Sequence, residues 1–265
     1  MRNKIAIIIF CFCFLIGIWS TSSFLMTSQE DIRRNSIENY LRTAKIVSLT
    51  PDPKGGRMAG WIISLADGKM TRHGYFKYID HSRPHPLPDS YKYEIAAYEL
   101  NKLLELNIVP PVVEREIKNM KGSLQVFIEN AIKEITMIRR KIEPPDLQSF
   151  RNAIQDIKIF ESLVYDECHD TRDTLIQEKN WKVWRIDFSE AFSPSSELIP
   201  GCEITGCSKK IYQNLLNLDS DVVKEKLKPY LSDDEMKTLL KRKDIILEKI
   251  KQLIKEKGEE SVLFL

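Results

Sequence analysis

Apolar and polar positions along the chain predict a strand-rich first half and a helix-rich second half. The polar stretch 27–45, with apolar positions at Ile32, Ile37 and Leu41, reads as a short helix or linker. Alternation then predicts strands at Ile46–Leu49, Trp61–Leu65 and His73–Ile79, with Asp67-Gly68 as the hairpin between the last two. Three prolines keep His81–Pro88 out of regular structure. Asp89 or Ser90 caps a helix running to about Leu106, whose apolar stripe is Tyr91, Ile95, Tyr98 and Leu103. Asn107–Val113 enters another strand, Lys121-Gly122 is the expected turn, and Ser123–Ile128 the strand after it. Farther on, Phe150, Ile154, Ile157 and Val164 mark an amphipathic helix ending near Tyr165. The loop Asp166–Asp173, strands at Thr174–Ile176 and Lys182–Ile186, the loop Ser193–Gly206 and at least two helices complete the chain. Ser232-Asp-Asp-Glu235 is a capping box for the last long helix. This order predicts an α+β fold of two lobes.

Ahead of these elements, Arg2 and Lys4 precede a nearly uncharged run from Ile5 to Met26. At ~1.5 Å per residue it is long enough to cross a hydrocarbon core of ~30 Å. A single-pass membrane anchor is expected for 1–26, with a cleaved signal peptide and export as the rival. The remaining expected units are a linker or helix at 27–45, a first lobe at 46–130 and a helical lobe at 131–265. Lys and Arg number 40 against 38 Asp and Glu, a balance that gives no reason to expect a nucleic-acid partner. Of five cysteines, Cys11 and Cys13 lie in the apolar run, and no pair has zinc-ligand spacing. Cys202 and Cys207 flank Glu-Ile-Thr-Gly. They are either a disulfide, which needs a compartment outside a reducing cytosol, or two unrelated thiols.

Candidate chemistry centres on a few charged positions. Lys77 shares a strand face with Tyr75 and Ile79, so it wants an anionic partner, and Glu94 in the next helix is placed to supply one. The alternative is an exposed edge-strand lysine and a solvent-facing glutamate. Asp187 leaves an apolar strand in Trp184-Arg-Ile-Asp-Phe-Ser-Glu-Ala-Phe192 and is either a magnesium ligand or a turn cap. Asp166-Glu-Cys-His-Asp-Thr-Arg-Asp173 concentrates acids that need a metal or Arg172 to coexist, unless the loop is simply solvated. Hydrolase chemistry is not indicated: there is no G-x-S-x-G and no histidine in a metal-ligand pair.

Three stretches resemble bacterial proteins related to HipA-type kinases, the secretory-pathway casein kinases and phosphatidylinositol kinases. They are Tyr91-Lys-Tyr-Glu-Ile-Ala-Ala-Tyr-Glu-Leu100 with Val109–Arg115 and Gly122–Gln125, then Phe160–Phe192, then Leu231-Ser, Leu240–Asp244 and Gly258–Phe264. The resemblance implies a two-lobed protein-kinase-like fold with ATP and Mg²⁺ in the cleft, acting on a protein, lipid or small-molecule hydroxyl. By it, Lys77 binds the phosphates and Glu94 pairs with Lys77. Thr50–Gly60 is the loop over the nucleotide, and Gln125–Asn130 lie at the adenine edge. Asp173 and Asp187 hold metal. Counted from Phe160, Cys168 falls where the family carries its catalytic aspartate and Asp173 where it carries an asparagine. A thiol replaces a carboxylate poorly, since losing a general base costs ~10²–10⁴ in rate. Asp170 and Asp166 are the reserve bases. The two resulting readings are an ATP-dependent phosphotransferase and a catalytically impaired, membrane-tethered binding or scaffold module.

Overall fold

A computed structural model describes residues 29–52, 60–86 and 88–265. The apolar run 5–26 and most of Thr50–Gly60 lie outside the described residues. Among those described, no helix is long and apolar enough to cross a membrane.

The architecture is mixed α and β. Helix α1 (Gln29–Thr43) is polar and buries Glu38, Tyr40 and Leu41. Strands β1 (Lys45–Pro51), β2 (Gly60–Ala66) and β3 (Thr71–Lys77) follow. Asp67 Oδ1 accepts from Lys69 N and Met70 N at 2.9 and 3.0 Å, and Gly68 takes φ 85°, closing the expected hairpin. The proline stretch holds a two-residue pairing of β4 (Asp80–His81) with β5 (Asp89–Ser90). Ser90 then caps α2 (Tyr91–Leu103) by accepting from Lys92 N. Strands β6 (Val112–Ile117) and β7 (Met120–Val126) complete an antiparallel sheet ordered β1-β2-β3-β7-β6.

Two expectations change here. The β6–β7 turn is Lys118-Asn119, both at positive φ (51° and 63°), and not Lys121-Gly122. Gly122 lies inside β7, where a Cβ would stand 2.2 Å from the Lys77 carbonyl oxygen; glycine serves strand approach, not a turn. Helix α2 is also buried nearly all round, including Tyr93, Glu94, Ala97 and Asn101, and not along one stripe. It lies between the sheet and the helical half.

That half begins with β8 (Ala131–Lys133), α3 (Glu134–Arg140) and α4 (Leu147–Val164). Strands β9 (Thr174–Gln177) and β10 (Lys182–Arg185) join β8 in a three-stranded sheet. After the long loop come β11 (Cys207–Ser208), α5 (Lys209–Asn217), α6 (Ser220–Leu227), α7 (Asp233–Lys257), α8 (Glu259–Val262) and β12 (Leu263–Phe264), with β11 and β12 parallel. The Ser232–Glu235 capping box opens α7.

Two cores result. One packs Tyr40 and Leu41 of α1, with Ala44 just beyond it, against Ile63, Leu65, Phe76, Leu124 and Val126 on one sheet face. The other gathers α2, α4 and the tail helices. Each fully buried large side chain contributes about 1.5–3 kcal/mol. The first core occupies one sheet face, so the opposite face, carrying Tyr75 and Lys77, looks toward α2 and the helical half.

Candidate functional site: a lysine between two carboxylates

Register fixes which side chains meet. Lys77 pairs with Gly60 and Ser123, and Tyr75 with Ile62 and Gln125. Paired residues project from the same face. Gly60, Ile62, Tyr75, Lys77, Ser123 and Gln125 therefore share one surface. Gly60 is bare because the Tyr75 ring occupies the position a Cβ would take.

The Ser90 cap sets Glu94 in the first turn of α2, where it is almost fully buried. Lys77 Nζ donates to Glu94 Oε1 and, at 2.5 Å, to Asp187 Oδ1. Asp187 follows β10 in a left-handed conformation (φ 66°), which aspartate tolerates better than most residues. Ser189 Oγ donates to it at 3.2 Å, and the Phe188 amide donates to Glu94. Burial disfavours the Lys77 charge, but Glu94 and Asp187 outweigh that and raise its pKa. Lys77 in turn holds Asp187 down at about 2. Burial pushes Glu94 up, and Asp187 adds to this against the pull of Lys77.

Asp173 is placed beside this group by two backbone bonds. Its amide donates to Asp170 O at 3.1 Å, and its carbonyl accepts from Ile186 N at 3.0 Å. Burial and then the Asp187 charge raise Asp173 to about 6, with Lys133 Nζ 3.9 Å away. The structure thus brings Lys77, Glu94, Asp173 and Asp187 into one neighbourhood.

The other expected positions behave differently. Cys168 is bonded to Cys202, not free, so it offers no thiolate and cannot act as a base. Of the two readings of Cys202 and Cys207, a mutual disulfide is ruled out by that bridge, and Cys207 is a buried free thiol raised to about 12 by burial. Asp170 is held by Arg172 through Nε at 3.0 Å and Nη2 at 2.5 Å, which keeps its pKa low. Asp166 is buried and accepts from Arg185 Nη2 at 2.6 Å; burial lifts it to about 8 despite that partner. Each of these carboxylates thus has an arginine partner. Gln125 keeps its place on the Lys77 face, with a buried Nε2 that has no partner.

Sequence reasoning missed the network beneath the site. Arg185, buried, donates to Glu161 Oε1 at 2.7 Å as well as to Asp166. Glu161 Oε2 also accepts from His169 N at 2.7 Å, and the His169 ring meets Glu134 at 3.0 Å. A signal was available. Glu161 occupies an apolar-stripe position of α4, four after Ile157, and Arg185 interrupts an apolar strand. A charge in an apolar register is a paired charge.

Two cavities, of about 410 and 360 Å³, lie elsewhere, one beside Leu106, Trp181 and Lys182 and one beside Met236 and Leu240.

No family model matches the chain, and no curated protein matches it. Among solved structures, it is similar to the crystal structure of a Helicobacter pylori proinflammatory kinase, CtkA, with a TM-score of 0.47 and 13% identity, covering 81% of this chain and 98% of that one. A likeness this distant carries no weight for ligand or chemistry, which only the geometry of the site itself can support.

Proposed function

We propose that this chain is a two-lobed kinase-fold protein whose cleft binds a magnesium nucleotide, ATP being the expected ligand. The carrying observation is the Lys77 ammonium held between Glu94 and Asp187, with Asp173 adjacent. Phosphoryl transfer asks for that set: a cation for the phosphates, a carboxylate that pins it, and carboxylates for metal.

The residues present fit the ligands. Asp173, pushed up by burial and then by the Asp187 charge, belongs to a donor set that a cation would relieve. The unpartnered Gln125 Nε2 is a buried donor on the nucleotide-facing side. Among the described residues no three His, Cys, Asp or Glu side chains converge as a ready metal site. Magnesium takes one or two carboxylates and completes its shell with water and phosphate oxygens, and Asp173 and Asp187 offer such a pair. Bound there, magnesium would neutralise charge on the phosphates. Asp173 and Asp187 would hold it, and Lys77 would pass from Asp187 to the phosphates.

With Cys168 bridged, Asp166 on Arg185 and Asp170 on Arg172, hydroxyl activation lacks a free carboxylate. We therefore read the chain as a nucleotide-binding module with impaired transfer. Transfer to a protein, lipid or small-molecule hydroxyl is the second reading. It is favoured by the paired Asp173 and Asp187, because a loose transition state depends more on charge than on a base. The Cys168–Cys202 bridge supports a compartment outside a reducing cytosol, with residues 5–26 as tether or export signal.

Thermal-shift titration with Mg-ATP tests the first reading. A saturable shift in the wild type, lost in Lys77→Ala, is expected. No shift, or one unchanged by the substitution, overturns it. Autophosphorylation and ATPase assays, with Asp187→Ala as control, decide the second reading.

A further inference from the structure

We propose that Arg83 is a positioning residue: together with Arg242 it clasps the backbone of residues 190–195 and so fixes Asp187 relative to Lys77 and Glu94. This rests on the nucleotide reading for its consequence, though not for its geometry. Arg83 lies between β4 and β5, on the connection from Lys77 to Glu94. Its Nη1 donates to Ala191 O at 2.7 Å and Phe192 O at 3.0 Å, and its Nη2 to Glu190 O at 3.0 Å. Arg242, from α7, is fully buried and grips the next stretch. Its Nη1 donates to Ser193 O at 2.9 Å and to Ser195 O, and its Nε to Leu163 O at 2.9 Å. Two guanidiniums thus bind five carbonyls of the segment that starts three residues after Asp187.

The clasp is anchored at its other end. The Arg83 amide donates to Tyr93 Oη at 3.0 Å, and the guanidinium lies over the Tyr93 ring. Tyr93 Oη donates at 2.6 Å to Glu235, which stands 3.5 Å from Arg83 Nη1. Tyr93 immediately precedes Glu94. The same rigid unit therefore touches the residue before one carboxylate and the segment after the other. Ser90 N donates to Ser189 O at 2.8 Å between the two gripped stretches. A planar fork with several donors suits this task; an ammonium does not match it. Arg242 has carbonyl dipoles in place of an acid partner, and burial lowers its pKa to about 10. Its cost is consistent with a role beyond solubility.

Arg242 is too deeply buried for a clean test, so Arg83 carries it. Arg83→Met keeps a stem over Tyr93 and loses the fork; Arg83→Lys keeps the charge and recovers part of the contact. Nucleotide affinity is measured by calorimetry in Mg²⁺ and in EDTA, and amide exchange is followed by mass spectrometry on the full chain. In Arg83→Met, exchange is expected to quicken at Ser90 and residues 188–192 and to stay as in the wild type in the five-stranded sheet. The magnesium-dependent gain in affinity should fall about tenfold, the equivalent of one charge-assisted hydrogen bond. Affinity in EDTA should hold, and Arg83→Lys should be intermediate. Unchanged exchange at residues 188–192 overturns the clasp, as does an unchanged magnesium gain. If the wild type binds no nucleotide in either buffer, the nucleotide reading fails, and the exchange arm alone decides the clasp.

Discussion

Replacing Lys77 by methionine leaves Glu94 inside the protein without its cation. The Glu94 side chain is 4% exposed, the Lys77 side chain 21% and that of Asp187 46%. The Asp187 half of the contact is open to water and contributes little to stability. The Glu94 half dominates. Breaking a buried pair costs about 3–5 kcal/mol, and the partial exposure of Lys77 brings this to about 2–3 kcal/mol. Without Lys77, burial and the Asp187 charge both act upward on Glu94, so its folded pKa lies above its unfolded value near 4.3. The folded state then binds a proton more tightly than the unfolded chain. Glu94 is already raised by burial in the wild type and rises further without Lys77, so the loss grows with pH between those two folded values and is constant above them. Urea denaturation at pH 5 and pH 8 should show the larger loss at pH 8, with a melting temperature about 5–10 °C lower there. Glu94→Gln added to Lys77→Met should recover part of it, because a neutral amide needs no cation. Equal losses at the two pH values, or no recovery in the double variant, would refute the reasoning.

Three further outcomes are expected from the same geometry. Peptide mapping without reductant should yield a Cys168–Cys202 fragment with Cys207 unmodified; the bridge closes 34 residues of separation, and reduction should cost about 3–4 kcal/mol by loop entropy. A Cys202–Cys207 fragment would contradict the fold of the 193–206 loop. Asp173 has a folded pKa of about 6, above its ordinary value, so its ionisation opposes folding and stability should fall as pH rises from about 4 to 6. Asp173→Asn should stabilise the free protein by about 1–2 kcal/mol at pH 7.5, allowing for its quarter exposure, and weaken magnesium-dependent binding; a variant less stable than wild type at that pH contradicts the assignment. Arg185→Met strands Glu161 and Asp166 and should cost at least about 3–5 kcal/mol, read as loss of soluble folded protein or of the cooperative melt; a wild-type melt would show that the pair is not ionised.

Much of the fold is legible in the sequence because it depends on local chemistry. Alternation marked β2 and β3, Asp67-Gly68 marked their hairpin, and Ser232 with Glu235 marked the start of α7. Lys77 stood out because it carries a charge onto a strand face shared with apolar residues, and Glu94 because it opens the next helix, where it could supply the partner. The errors share a cause as well. Lys121-Gly122 has turn composition, yet Gly122 answers to the Lys77 carbonyl across β3, a contact no neighbour in sequence reveals. The apolar stripe read from α2 is one side of a helix that is covered on nearly every side.

What the sequence determined alone is the order of the longer strands and helices and the charged residues with candidate chemistry; short pieces such as β4, β8, α3 and β11 were not legible in it. Tertiary structure decided which of them meet. Cys168 found Cys202 and not a catalytic role, because the 166–173 loop packs against the 193–206 loop. Asp166 and Asp170 acquired arginine partners, Arg185 and Arg172, the first of which no neighbour in sequence announces. Lys77, Glu94 and Asp187, 110 residues apart at the extreme, met because the sheet turns the face opposite its α1 core toward α2 and the end of β10. Local propensity is written in neighbouring residues, but pairing between distant charges is set by which faces the cores leave open.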